Sequence, residues 1–210
     1  MTTSLQLPAA ADIHSAIRRA LDPIMRPLGY SSRGGGAAKW SAKTNHGKLH
    51  LQFQLHPKAR DPYQGGRFIV EVEHTLGEGQ GRAFSGRARF DQLLTRAELE
   101  TMVEHQDAVI ASLPRPPASH VASYPESLRD TYLNSFEPQT SLTPGDLWLR
   151  YQTIDHVQGW LRLISGMLPS MLERAKRLDP HVIYMGSTID LSADPLQPTS
   201  PVVVTQKPAD

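Results

Sequence analysis

The amino-acid sequence predicts an α+β fold: a mostly antiparallel sheet of about five strands with helices packed on one face. Residues 49–56 alternate apolar and polar side chains with a period of two, the strongest strand signal in the chain. Apolar stripes at 13–28, 99–113 and 154–168 recur at steps of three and four, as one face of a helix requires. The strand candidates follow one another through short, turn-rich links, so neighbours in sequence are expected to pair as an antiparallel meander. A length of 210 residues, 39% apolar and 20% charged, suits one generous domain, expected over residues 1–178. Residues 179–210 are rich in Pro, Ser and Thr and read as a tail, disordered from about residue 194.

The first helix is expected over Asp12 to Leu28, with Ile13, Ile17, Leu21, Ile24 and Leu28 along one side. Pro23 weakens its last turn and Gly29 stops it. Trp40 flanked by Ala38 and Ala42 then alternates with Lys39, Ser41 and Lys43. Asn45, His46 and Gly47 form a hairpin turn into the strand that carries Leu49, Leu51, Phe53 and Leu55. Phe68, Val70 and Val72 mark a third strand, and Phe84, Ala88 and Phe90 a fourth.

Thr95 and Glu98 make a capping box for a second helix with Leu99, Met102, Val103, Gln106, Val109, Ile110 and Leu113 on its stripe. Ser123 and Glu126 suggest a second box, opening a shorter helix that carries Leu128, Tyr132 and Leu133. Asp146 to Tyr151 reads as a fifth strand. Thr153 caps the last long helix, in which Pro169 is expected to kink or split the chain before Leu172.

Several function classes are disfavoured. The chain has no cysteine, which removes disulfides, thiolate metal sites and cysteine nucleophiles and agrees with a cytoplasmic setting. Met1 to Ala11 lacks the cationic and apolar regions of a secretory signal, and no apolar run is long enough to span a bilayer, so no membrane partner is expected. Gly77 to Gly81 is not followed by Lys-Ser/Thr and joins two strands, so it reads as a flexible link and not a phosphate loop. No Gly-x-Ser-x-Gly elbow is present.

Net charge is +1, but residues 1–95 hold 13 Lys and Arg against 7 Asp and Glu, and residues 96–210 hold 9 against 14. Alternation sends His50, Gln52, Gln54, His56, Glu71, Glu73, Arg87 and Arg89 to one sheet face, together with Lys39 and Ser41. This mixed-charge face is the expected surface for a protein partner. The same His and Glu residues, as acid, base or metal ligands, are the alternative for a hydrolase, although helical metal-binding spacings are absent and no cofactor is expected. A second alternative uses Arg18, Arg19, Lys39, Lys43 and Lys48, with Tyr30 and Trp40 interleaved, to hold nucleic acid. Trp148 and Trp160 read as core residues.

Leu28-Gly29-Tyr30, the strand with Phe53-Gln54, Arg67-Phe68-Ile69-Val70 and Asp146-Leu147-Trp148-Leu149 together resemble an uncharacterised bacterial family, over roughly residues 10–177. The resemblance implies a helix, a short antiparallel meander and closing helices. Some relatives of that family look like small partner-binding or immunity-type proteins of bacterial conflict systems. The resemblance supplies no catalytic residues, and the expected function is a non-enzymatic protein-binding module.

Overall fold

The computed structural model describes residues 6–32, 36–45, 47–57, 61–76, 85–138, 147–178 and 183–184. Helix α1 runs over Ala10–Met25 and buries Ile13, Ile17, Leu21 and Met25 completely. Pro23 is accommodated in its last turn. The helix ends as the glycine at position 29 requires. Gly29 adopts a φ of 82° while its N–H bonds to the Arg26 carbonyl and the Tyr30 N–H to that of Met25, both at 3.0 Å.

Seven strands follow: β1 (Ser31–Ser32), β2 (Lys39–Thr44), β3 (Gly47–Leu55), β4 (Gly66–Leu76), β5 (Ser85–Arg89), β6 (Leu149–Tyr151) and β7 (Ile183–Tyr184). They form one sheet in the order β1-β2-β3-β4-β5-β7, with β6 also paired to β4. All pairings are antiparallel except β5 with β7. The expected meander is thus present, extended by two short strands at its margins. The anticipated fifth strand does not follow the fourth across the sheet; it returns to pair with Gly66, Arg67 and Phe68 of β4. Ile183–Tyr184 fall within the expected tail, and these two residues pair with β5. The expected disorder from residue 194 and the glycine-rich link 77–81 lie outside the described residues.

Alternation in β2 to β5 produces two unlike faces. Trp40, Leu49, Leu51, Phe53, Phe68, Val70, Val72 and Ala88 are buried in one core with residues of the helices. That core takes Leu99, Met102 and Val109 from α2 (Arg96–Ser112), and Val157, Trp160, Leu161, Ile164, Leu168, Met171 and Leu172 from α5 (Ile154–Ala175). The Thr95–Glu98 capping box opens α2 as expected, and Thr153 caps α5 by accepting the His156 N–H at 3.3 Å. Pro169 does not split α5. It removes the bond that would run to Ser165, but Leu168, Met171 and Leu172 on either side are buried and hold the turn in the core.

The second capping box is not formed. A short helix, α3 (Ala118–Ala122), precedes α4 (Glu126–Asn134), and the Ser123 hydroxyl donates back to the His120 carbonyl at 2.6 Å. Pro125 therefore takes the cap position of α4. Of the expected stripe only Tyr132 is buried; Leu128 and Leu133 are 50% and 43% exposed. Helix α4 is anchored by aromatic contacts instead, in a second cluster of Leu113, Tyr132 and Phe136 against Tyr63, Val121 and Tyr124. Among the described residues no helix is long and apolar enough to cross a membrane.

Candidate functional site

The antiparallel registers place the polar residues of four strands side by side. Gln52 lies opposite Glu71, His50 opposite Glu73, Arg89 opposite Glu71 and Arg87 opposite Glu73. Glu71 is the hub and only 6% exposed. Its Oε2 accepts hydrogen bonds from the amides of Gln52 at 3.1 Å and of Gln54, and lies 3.9 Å from the Arg87 guanidinium. Lys39 approaches Glu73 at 3.8 Å. Thr75 and the His50 Nε2 are 3.3 Å apart. Glu71, Gln52, Gln54 and Arg87 thus form one network, with Lys39 beside Glu73 and His50 beside Thr75.

The face is basic. Lys43 pairs with Lys48 across β2 and β3, so Lys39, Lys43 and Lys48 join Arg87 and Arg89 on the same side as Glu71 and Glu73. Three of the residues first read as a nucleic-acid patch are therefore part of the expected partner face. Arg18 and Arg19 are not. They belong to α1, whose apolar side packs into the core, and Arg18 donates to the carbonyls of Gly36 and Ala37. Arg19 lines a cleft of about 450 Å³ between α1 and α5 with Ala16, Ala20, Gln158, Leu161, Arg162 and Ser165. Trp40 and Tyr30 are buried and unable to stack on a base, and the Trp40 indole is engaged by Asp22 at 2.8 Å.

The structure separates the two histidines of the face, and only His50 stands opposite a glutamate, Glu73. His50 and His56 lie six residues apart along one extended stretch, about 20 Å at the rise of a strand. Among the described residues no group of three or more His, Asp or Glu side chains can hold a metal ion. At the far end of the face His56 meets Trp148 edge-on at 4.9 Å, and the Arg89 guanidinium lies over the same indole at 5.6 Å. Trp148 therefore stands on the polar side, outside the core to which the sequence assigned it, because Leu149 and not Trp148 shares the inward parity of Phe68. Trp160 is in the core as expected.

A cluster that the sequence did not signal as a unit surrounds Asp61. Its Oδ1 accepts the N–H groups of Tyr63 and Gln64 at 2.8 and 2.9 Å and the Tyr132 hydroxyl at 3.1 Å. Its Oδ2 accepts from Tyr124 at 2.7 Å and meets the His120 Nε2 at 3.0 Å. Burial alone would raise the Asp61 carboxyl, but these donors outweigh it and hold the group below its ordinary value. Burial and the Asp61 charge push Tyr124 up to about 12 and Tyr132 higher still, so both hydroxyls remain donors. A carboxylate with both oxygens occupied in this way is a structural latch, not a general base. The one local signal was Asp61 followed by Pro62, a turn in which an aspartate caps the N–H groups two and three residues on.

Ser112 and His156 lie 3.3 Å apart but do not form a nucleophile and base. The His156 Nδ1 accepts the Gln152 N–H at 3.1 Å, and burial lowers its affinity for a proton. In the neutral ring Nε2 then carries the hydrogen and donates to Ser112, whose own hydroxyl donates to the Val109 carbonyl at 2.7 Å.

The sequence matches no known protein family, no curated protein and no solved structure at a significant level.

Proposed function

We propose that this chain is a non-enzymatic protein-binding module that presents the polar face of its sheet to an acidic segment of a partner. The observation that carries the reading is the charge imbalance of that face. Among the described residues of β2 to β5, Lys39, Lys43, Lys48, Arg87 and Arg89 share it with two carboxylates, Glu71 and Glu73, and Glu71 is turned onto Gln52, Gln54 and Arg87. Surplus cations around a fixed Glu71 network steer and orient an acidic partner. Protein is favoured over nucleic acid because Tyr30 and Trp40 are buried away from the face, and Trp148, which stands on it, is already engaged by His56 and Arg89. An immunity-type or accessory role in a bacterial conflict system is a setting that would use such a face.

The test is a pull-down of the tagged chain from nuclease-treated lysate, run beside a Lys43→Glu, Lys48→Glu variant and an Arg19→Glu control on α1. The expected result is an acidic protein retained by the wild type and the control and lost by the double variant. Equal retention by all three would remove the sheet face from consideration. Recovery of nucleic acid alone from untreated lysate, lost in the double variant, would replace the protein reading with a nucleic-acid one.

A further inference from the structure

The register of β4 with β6 sets Arg67 directly opposite Arg150, with Phe68 and Leu149 beside them pointing into the core. Both side chains therefore leave adjacent strands on the polar side of the sheet. Arg150 is 5% exposed, and Arg67 is half-buried. Neither makes an ion pair with a described residue. The Arg150 Nη1 and the Arg67 Nε are buried without a hydrogen-bond acceptor. Arg67 donates from Nη2 to the Gln64 side chain at 2.9 Å. The carboxylate that Arg67 feels, Asp61, is already occupied by Tyr63, Gln64, His120, Tyr124 and Tyr132.

Asp61 offsets part of the Arg67 charge, but no described carboxylate pairs with Arg150, and burying that cation beside a like charge is unfavourable twice over, through lost hydration and through mutual repulsion. The burden is visible in Arg150, which burial and then the charge of Arg67 push down to about 10. Structural arginines in sheets are normally relieved by a carboxylate across the strand, as Arg87 is by Glu71 on the same face. At Arg67 and Arg150 that partner is missing from the described residues, while unsatisfied N–H donors of both side chains remain.

We propose that the Arg67–Arg150 pair is an anion site that takes a phosphate group. Two guanidinium groups match the charge of a phosphate near neutral pH, about −1.5 to −2, and their N–H groups suit its oxygens. Arg67 is the member of the pair that reaches solvent. His56, whose N–H bonds to the Arg67 carbonyl at 2.8 Å, and Trp148, which lies against His56, neighbour the pair along the strands. The proposal does not depend on the protein-binding reading, since it concerns the β6 end of the sheet and a small group.

The experiment titrates inorganic phosphate against the full-length protein at constant ionic strength set with chloride, following phosphorus NMR line width and melting temperature. The wild type is expected to broaden the phosphate resonance and to gain melting temperature as phosphate rises. Arg67→Gln should weaken binding about ten- to a hundredfold, the loss expected for a charge-assisted hydrogen bond. Arg150→Met adds a crossing that a purely structural arginine would not produce. In phosphate-free buffer it melts at or above the wild type, because an unpaired buried cation has gone, whereas in saturating phosphate the wild type melts higher. No broadening with the wild type, or an unchanged phosphate response in both variants, overturns the proposal, and the wild-type measurement decides it alone should a variant fail to fold. Adenosine monophosphate and a phosphoserine peptide in place of inorganic phosphate separate the sources: tighter binding of one identifies the molecule that carries the group, and equal binding identifies free phosphate.

Discussion

The indole of Trp40 donates a 2.8 Å hydrogen bond to the Oδ1 of Asp22, pinning a fully buried residue of β2 to helix α1. Trp40 also meets Phe53 edge to face with ring centroids 6.1 Å apart. A Trp40→Phe substitution keeps an aromatic ring in the core but removes the donor and leaves space beside Phe53. Unfolding in urea should show a loss of about 2 kcal/mol, combining one hydrogen bond with a partly collapsed cavity. An unchanged midpoint would mean that α1 is held by its apolar stripe alone.

Acid should loosen the Asp61 latch. The carboxyl titrates below its ordinary 3.8 in the folded chain, so the unfolded state binds a proton first as pH falls. The stability contributed by Asp61 is complete above that ordinary value and is lost as pH drops through the folded one. Asp61→Asn removes the titration and part of the acceptor capacity. The variant should be less stable near neutral pH and should lose less stability than the wild type between about pH 4 and pH 2, as read from urea midpoints across that range.

Much of the fold was legible because its elements carry strong local patterns. The period of two in Leu49 to Leu55, the capping box of Thr95 and Glu98 and the stop at Gly29 each depend on neighbours in sequence. The failures share a different origin. Ser123 and Glu126 have the spacing of a cap, yet α3 claims the Ser123 hydroxyl, which no local pattern reveals. Trp148 reads as core by composition, but the pairing of Leu149 with Phe68 turns it outward. The polar face could be read from alternation in single strands. The junction of Lys43 with Lys48, the latch around Asp61 and the facing of Arg67 and Arg150 arise from contacts between distant segments.

Gly66 permits the close approach of β6. A Cβ built there would fall on the Tyr151 ring, and one at Gly65, which has a φ of 72°, on the Tyr151 carbonyl oxygen. Gly66→Ala should therefore displace Tyr151 from the core and cost about 1–3 kcal/mol, as overpacking does. Hydrogen exchange should show the loss first in the β4–β6 pairing at Gly66, Arg67 and Phe68, with β3 and the upper part of β4 retained.

Helices α2 and α5 are joined by Glu98, whose Oε2 accepts the Thr95 N–H at 2.7 Å and the Arg174 guanidinium at 2.6 Å. Its Oε1 accepts the Ser170 hydroxyl at 3.2 Å. Burial would raise this carboxyl, but the Thr95 donors and Arg174 together hold it below its ordinary 4.5. Both partners are largely shielded, at 21% and 13% side-chain exposure, so the pair should exceed an open surface bridge. A cycle of Glu98→Gln, Arg174→Met and the double variant at pH 7 should give a coupling of about 1 kcal/mol. Because the carboxyl is depressed, the coupling is complete above its ordinary value and disappears as pH falls through the folded one. A cycle repeated near pH 3 should therefore return a smaller value, and a coupling that stays constant from pH 7 to pH 3 would show that the contact acts through packing and not through charge.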